Sequence, residues 1–348
     1  MPDQAPLAHK GVNYDVGTNY THGHLSRARP SMGAVRRDLE VMRDGLHANA
    51  VRLFGTNLDD LVGAAGVAVE CGLRPWVSPR LIGESMDATV AHLVAAAEGL
   101  EALRSAGADV TFVLGCEASV FVEGIVPGED REAREARMFT LPTLVLNAVG
   151  VDPGFQASLN AYLGRALGEV RARFGGPVTY AAGIWERVDW EPFDIVGLDY
   201  YRTWHNRLGY RRRLRDLRAL GKPVAVLEFG CATYEGAGAK GGAGQVAAVD
   251  YGADPPAIRE GVVRSEDAQA AYIEALLAIY REEQVSGVFV FLFNAPASPH
   301  AADPRHDLDT ASYALVTALP PGSGRAYEDG YWQPKRAFHV VADAYLRD

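Results

Sequence analysis

Eight short apolar or β-branched runs recur along the chain, at residues 9–14, 50–54, 73–77, 110–114, 178–182, 194–198, 224–227 and 287–293. Each is too short for a helix, and several are uninterruptedly apolar, as strands covered on both faces are. Segments of helical periodicity alternate with them at 31–45, 58–71, 87–107, 156–174, 207–221, 265–283 and 334–345. Ser31 and Ser265 stand where helix N-caps belong, and Gly72 follows the second helix as a left-handed stop. Eight strands in βα order predict an α/β fold. The count points to a single (β/α)8 TIM barrel, one domain spanning 1–348, rather than an open doubly wound sheet.

Three connections are long: 119–150 after strand four, 231–264 after strand seven and 294–333 after strand eight. Two short helices, broken at Pro127 and Pro142, are expected in the first. The other two read as lids over one end of the barrel, the Gly-rich one being mobile.

Composition removes several classes of function. The chain carries 44 acidic against 34 basic residues, a net charge of −10. That argues against a nucleic-acid or anionic-membrane surface. The arginines at 207–218 read as the solvated face of a helix. Neither a GxGxxG after an early strand nor a GxxxxGK[ST] occurs, so no nucleotide cofactor is expected. Cys71, Cys116 and Cys231 are odd in number and lack zinc spacing. They read as small buried apolar groups. His22 and His24 lack a matched acidic ligand, so no metal is expected and substrate contact or loop polarity is the better reading. The N-terminal segment lacks the features of a signal peptide, and no apolar run reaches eighteen residues. A cytoplasmic enzyme acting on a small molecule is expected, of unspecified oligomeric state.

In such a barrel the residues at the C-terminal strand ends share one mouth, where the chemistry sits. Here they are His22 and His24, Arg52, Arg80, Cys116 and Glu117, Trp185 and Glu186, Asp199, Tyr201 and Trp204, Glu228, and Phe291 with Asn294. Glu117 ends the fourth strand and Glu228 the seventh. Two carboxyls facing one cavity suit the division between acid/base and nucleophile on one bond.

Four segments, in order, carry a family resemblance: Asn49-Ala-Val-Arg52-Leu, Cys116-Glu117-Ala-Ser, Asp194-Ile-Val-Gly-Leu-Asp-Tyr-Tyr201 and Val226-Leu-Glu228-Phe-Gly. With the tail Gly330-Tyr-Trp-Gln-Pro-Lys335, the chain resembles clan A of the glycoside hydrolases, retaining (β/α)8 enzymes. The resemblance implies that Glu117 is the general acid/base and Glu228 the nucleophile, with Arg52 and Tyr201 touching the nucleophile. It implies no cofactor. The chain departs from the clan pattern at three places. Cys116 stands where Asn usually binds a sugar hydroxyl. Asp199 replaces Asn or another polar residue. Phe291 is the nearest stand-in for a strand-eight tryptophan. The substrate is therefore expected to be a glycoside or a related metabolite. Two other readings remain open: acid/base chemistry on a non-sugar in a biosynthetic route, and a ligand-binding barrel that has lost catalysis.

Overall fold

The structure, a computed structural model, describes residues 6–21, 24–140, 142–143, 146, 150–319 and 331–347. Eight parallel strands form its centre: β1 His9–Asp15, β2 Ala50–Gly55, β3 Arg74–Pro79, β4 Thr111–Cys116, β5 Val178–Ala181, β6 Val196–Asp199, β7 Val224–Phe229 and β8 Gly287–Val290. Hydrogen bonding joins them in the order β6-β7-β8-β1-β2-β3-β4-β5. The ring closes through one bridge, Ala182 to Leu198. There Ala182 N donates to Gly197 O at 3.2 Å and Asp199 N donates to Ala182 O at 2.9 Å. The fold is the expected (β/α)8 barrel.

The outer layer is α1 Met32–Asp44, α2 Leu58–Glu70, α3 Met86–Ser105, α4 Gln156–Arg171, α5 Tyr210–Arg218, α6 Glu266–Glu282 and α7 Arg336–Leu346. Ser31 accepts from Ala34 N and Ser265 from Ala268 N, so both serines cap their helices as expected. Such a cap is worth about 1 kcal/mol. Each helix turns an apolar stripe inward; in α3 it includes Leu93, Ala96, Ala97 and Leu100, all buried. Burying each leucine contributes about 1.5–3 kcal/mol relative to exposure. Residues 182–195, between β5 and β6, hold no helix. No helix among the described residues is long and apolar enough to cross a membrane.

Two expectations need adjustment. Pro334 ends the strand Tyr331–Pro334, and Lys335, not the proline, precedes α7. The arginine-rich segment is helical only over Tyr210–Arg218. There Arg211 and Arg215 pair with Glu283 of the segment after α6, leaving Arg212 and Arg213 exposed. Short helices Ala118–Phe121 and Arg131–Met138 follow β4, one on each side of Pro127.

The Gly-rich connection after β7 is folded. It forms a 3-10 turn, Ala237–Ala243, and a short helix, Gly244–Ala248. Together with the connection after β8 it builds a second small core, in which Cys231, Tyr234, Ala237, Ala248, Leu292 and Tyr313 pack. Glycine is needed at two points. Gly241 has φ +56°, and a Cβ at Gly244 would lie 2.6 Å from the Tyr313 hydroxyl. Gly244 N donates to that hydroxyl at 2.8 Å. A buried ion cluster fastens this cap: Asp309 meets Lys335 at 2.8 Å and Arg264 at 2.6 Å. Lys335 Nζ also donates to Thr233 Oγ1 at 3.0 Å.

Candidate active site

Glu228 is the centre of the polar cluster at the strand ends. It sits on β7, opposite Asp199 of β6, after a register shift between Leu198 and Asp199. That shift puts two carboxylates side by side. Arg52 Nη1 donates to Glu228 Oε1 at 2.9 Å, and Arg80 Nη2 donates to the same oxygen at 2.7 Å. Tyr201 OH donates to Oε2 at 3.1 Å. Burial alone would raise the Glu228 pKa, but the two guanidiniums overturn this and hold it below the ordinary carboxylate value.

Arg52 is positioned from below. Its Nη1 also lies 3.3 Å from Asn13 Oδ1, 3.2 Å from Leu227 O and 3.5 Å from Asp199 Oδ1. Asn13 on β1 is itself fixed, donating to Leu227 O at 2.8 Å and Phe289 O at 3.1 Å. Arg80, just past β3, lies over the Phe54 ring at 4.1 Å and donates to Tyr20 OH at 2.8 Å. Phe291 stacks on the same Phe54 ring, with centroids 6.1 Å apart, and meets Tyr313 edge-on.

Cys116, at the end of β4, donates its thiol to Asp199 Oδ2 at 3.0 Å and lies 3.9 Å from Glu228 Oε1. Burial pushes the thiol pKa well up, so the sulfur stays protonated and acts as a donor rather than a nucleophile. Asp199 is pushed up to about 7, by burial first and then by the charge of Glu228, against the pull of Arg52. Glu117 follows Cys116 with φ 43° and ψ 49°, a left-handed conformation uncommon for a non-glycine residue. It is half-buried. Burial, then the charges of Asp199 and Glu228, raise its pKa well above the usual range. Backbone outliers of this kind concentrate at functional sites.

Sequence reasoning named Arg52, Cys116, Asp199, Tyr201 and Glu228, and the structure brings these five together. It placed Arg80 at the mouth without a role; the structure gives it a bond to Glu228. It missed Asn13, whose signal was a lone polar residue inside an apolar strand. Trp204 is 61% exposed and lies under Arg207 at 5.2 Å, away from the polar cluster. Asn294 is buried, with no hydrogen-bond partner for Oδ1 among the described residues. His22 lies outside the described residues, and of His24 only the backbone is described. Glu186 lies at the strand ends. It is buried and accepts from Ser119 N at 3.0 Å, Tyr180 OH at 2.8 Å and Gly183 N at 3.0 Å, tying the ends of β4 and β5 together.

Cys116, Asp199 and Glu228 bring ligand-type atoms within 4.8 Å of one another. A divalent cation among them would face two guanidiniums already bonded to Glu228, which makes this a poor metal site. Beside the cluster, a cavity of about 290 Å³ opens along Tyr20, Thr56, Ile82, Glu84, Glu123 and Arg131. Tyr20 joins it to Arg80.

No protein-family model matches the chain, and no curated protein matches it. Solved structures do. A GH113 beta-1,4-mannanase aligns over 99% of this chain and 100% of its own, with 14% identity and a TM-score of 0.58. The GH113 beta-mannanase AaManA from Alicyclobacillus acidocaldarius aligns over 99% of this chain and 98% of its own, with 18% identity and a TM-score of 0.56. Beta-glucuronidase 2 from Bacteroides uniformis aligns over 99% of this chain and 36% of its own, with 15% identity and a TM-score of 0.58. At such identities the likeness establishes architecture: this chain has the (β/α)8 barrel of the glycoside hydrolases it matches.

Proposed function

We propose that the protein is a glycoside hydrolase-like enzyme, a hydrolase or transglycosidase working by retaining double displacement. The observation that carries this reading is the bonding of Glu228, with Arg52 and Arg80 on Oε1 and Tyr201 on Oε2, at the strand ends that also carry Glu117. Arg52 and Arg80 keep Glu228 ionised, while Glu117 is driven to hold its proton. In this reading Glu117 protonates the leaving oxygen as Glu228 attacks the anomeric carbon, forming a glycosyl ester. Two guanidiniums occupy Oε1, so Oε2, which among the described residues accepts a side-chain bond from Tyr201 alone, is the oxygen that attacks. Glu117, now a carboxylate, deprotonates a water or an acceptor hydroxyl. The new nucleophile displaces Glu228 and restores both groups.

The matched structures suggest the first substrates to try. They are a beta-1,4-mannanase and a beta-glucuronidase, the latter covalently bound to cyclophellitol-6-carboxylate aziridine. Aryl β-mannosides, aryl β-glucuronides and an aziridine of the cyclophellitol type form the opening panel. The expected result is turnover of an aryl glycoside and an adduct on the peptide carrying Glu228, read by mass spectrometry. Glu228→Gln should lose both. Undiminished turnover in that variant would sink the assignment.

A further inference from the structure

We propose that Tyr180 and Glu186 are positioning residues for Glu117: they hold its backbone in a left-handed turn and so set where its carboxyl stands. This deepens the retaining reading and rests on it for its catalytic meaning, although the conformational part stands alone.

The turn decides which way the Glu117 side chain leaves β4. Successive side chains of a strand point to opposite faces. The Cys116 thiol already points into the polar cluster, 3.0 Å from Asp199 Oδ2. An extended chain would therefore send the next side chain, that of Glu117, to the other face. With φ 43° and ψ 49° Glu117 leaves the extended conformation instead. A residue with a Cβ enters this region at a cost, and stays there only where its surroundings over-determine it.

The determining bonds come from β5 and the turn after it. Glu117 N donates to Ala181 O at 2.9 Å, and Glu117 O accepts from Val120 N at 2.9 Å. The peptide that follows Glu117 is oriented by ψ of that residue, and its N–H, on Ala118, donates to Tyr180 OH at 2.6 Å. Tyr180 OH in turn donates to Glu186 Oε2 at 2.8 Å. Glu186 Oε1 accepts from Ser119 N at 3.0 Å and from Ser119 Oγ at 2.6 Å. Gly183 N donates to Oε2 at 3.0 Å, and Trp185 Nε1 donates to Ser119 Oγ at 3.0 Å. Each oxygen of Glu186 thus has two donors. Among the described residues, every bond the pair makes to the β4 side falls on the two residues after Glu117. Tyr180 is 0% and Glu186 2% exposed, so water does not stand in for either. The pair acts on Glu117 through its backbone.

The test separates position from stability. Tyr180→Phe removes the acceptor of Ala118 N at nearly constant volume. Glu186→Gln replaces one acceptor oxygen with an amide nitrogen that cannot accept. A displaced acid is felt most where the leaving group needs its proton. On a sugar that turns over, both variants should lose about tenfold or more in kcat/KM with a phenyl leaving group, and less than about twofold with 2,4-dinitrophenyl. Equal losses on both leaving groups in folded variants overturn the proposal and leave the pair a structural tie between β4 and β5. The conformation has its own readout, which needs no turnover. Glu117→Gly should unfold at a higher temperature than Glu117→Ala, because glycine enters the left-handed region without the Cβ cost. In the Tyr180→Phe background that gap should shrink or reverse. A gap that Tyr180→Phe leaves unchanged overturns the proposal, and so does the absence of a gap in the otherwise wild-type chain. If Tyr180→Phe does not fold, Glu186→Gln takes its place in both measurements. If neither folds, Ser119→Ala, which removes a single Glu186 bond, is read the same way. Inactivity on every glycoside would sink the retaining mechanism alone, and the glycine gap would still decide this inference.

Discussion

Two buried ion clusters stand on the same side of the barrel and are built differently. In the cap, Asp309 meets Lys335 at 2.8 Å and Arg264 at 2.6 Å, with Thr317 Oγ1 donating at 3.3 Å. At the mouth, Arg52 and Arg80 converge on one oxygen of Glu228, Asp199 has a 3.5 Å contact with Arg52, and Glu117 has no cation partner among the described residues. Buried nitrogens remain there without partners among the described residues: Arg52 Nε and Nη2, and Arg80 Nε. In the cap every carboxylate of the cluster meets a cation, since Arg264 also reaches Glu266 at 3.1 Å and Asp307 at 3.5 Å. Where carboxyls must differ in protonation, the pairing is uneven, and that unevenness separates their pKa values.

Crossing the two clusters gives the largest expected effects. Glu228→Gln should abolish turnover, while Asp309→Ala should cost about 3–5 kcal/mol of stability, because it leaves Lys335 buried without its partner. Urea unfolding and turnover measured on both variants check this. If Asp309→Ala proves as stable as wild type, the cap cluster is not the fastening described above.

A smaller, graded effect is expected with pH. The folded pKa of Asp199, about 7, lies above the ordinary aspartate value of 3.8. The native state therefore holds this proton more tightly than the unfolded chain does. Its stabilising contribution is complete below the ordinary value and is lost as pH rises through about 7. Asp199→Asn should flatten the fall in stability over that window. Thermal unfolding from pH 4 to pH 8 measures it, and an unchanged slope would remove Asp199 from the group that titrates there.

The smallest effect is set by one hydrogen bond. Tyr201→Phe removes the only side-chain donor to Glu228 Oε2 among the described residues, a bond to a charged group worth about 1.5 kcal/mol. A loss of roughly tenfold in kcat/KM, with stability unchanged, is the expected outcome for aryl glycosides.

Much of the barrel was legible because its strands are short apolar runs with glycine or capping residues between them. Glu117 and Glu228 stood out because a polar residue at the end of such a run has few places to point, and Arg52 because it is a charge inside an apolar strand. The role of Arg80 was not, since its bond to Glu228 depends on how far β3 stands from β7 across the ring. The cap was misread for a different reason. Glycine-rich composition signals freedom only when nothing crowds the chain, and here Tyr313 closes on Gly241 and Gly244. Asp199 was legible as a mouth residue, but its alignment with Glu228 comes from a register shift that composition does not encode.

The ring's closure has a consequence for motion. Every other neighbouring pair of barrel strands shares a ladder, whereas β5 and β6 meet through the single bridge at Ala182 and no helix covers the turn between them. A further backbone bond, Asp194 N to Val178 O at 3.1 Å, and side chains supplement it: Thr179 Oγ1 donates to Ile195 O at 3.0 Å, and Asp194 Oδ2 accepts from Val178 N at 2.7 Å. This is a seam, and the residues it separates are Cys116 on one side and Asp199 on the other. Local opening there should expose the Ala182 and Asp199 amides to deuterium before those of β1 or β2. Each opening would also part the Cys116 thiol from the Asp199 carboxyl, so the barrel's most sparsely bonded joint and one edge of its polar cluster move together.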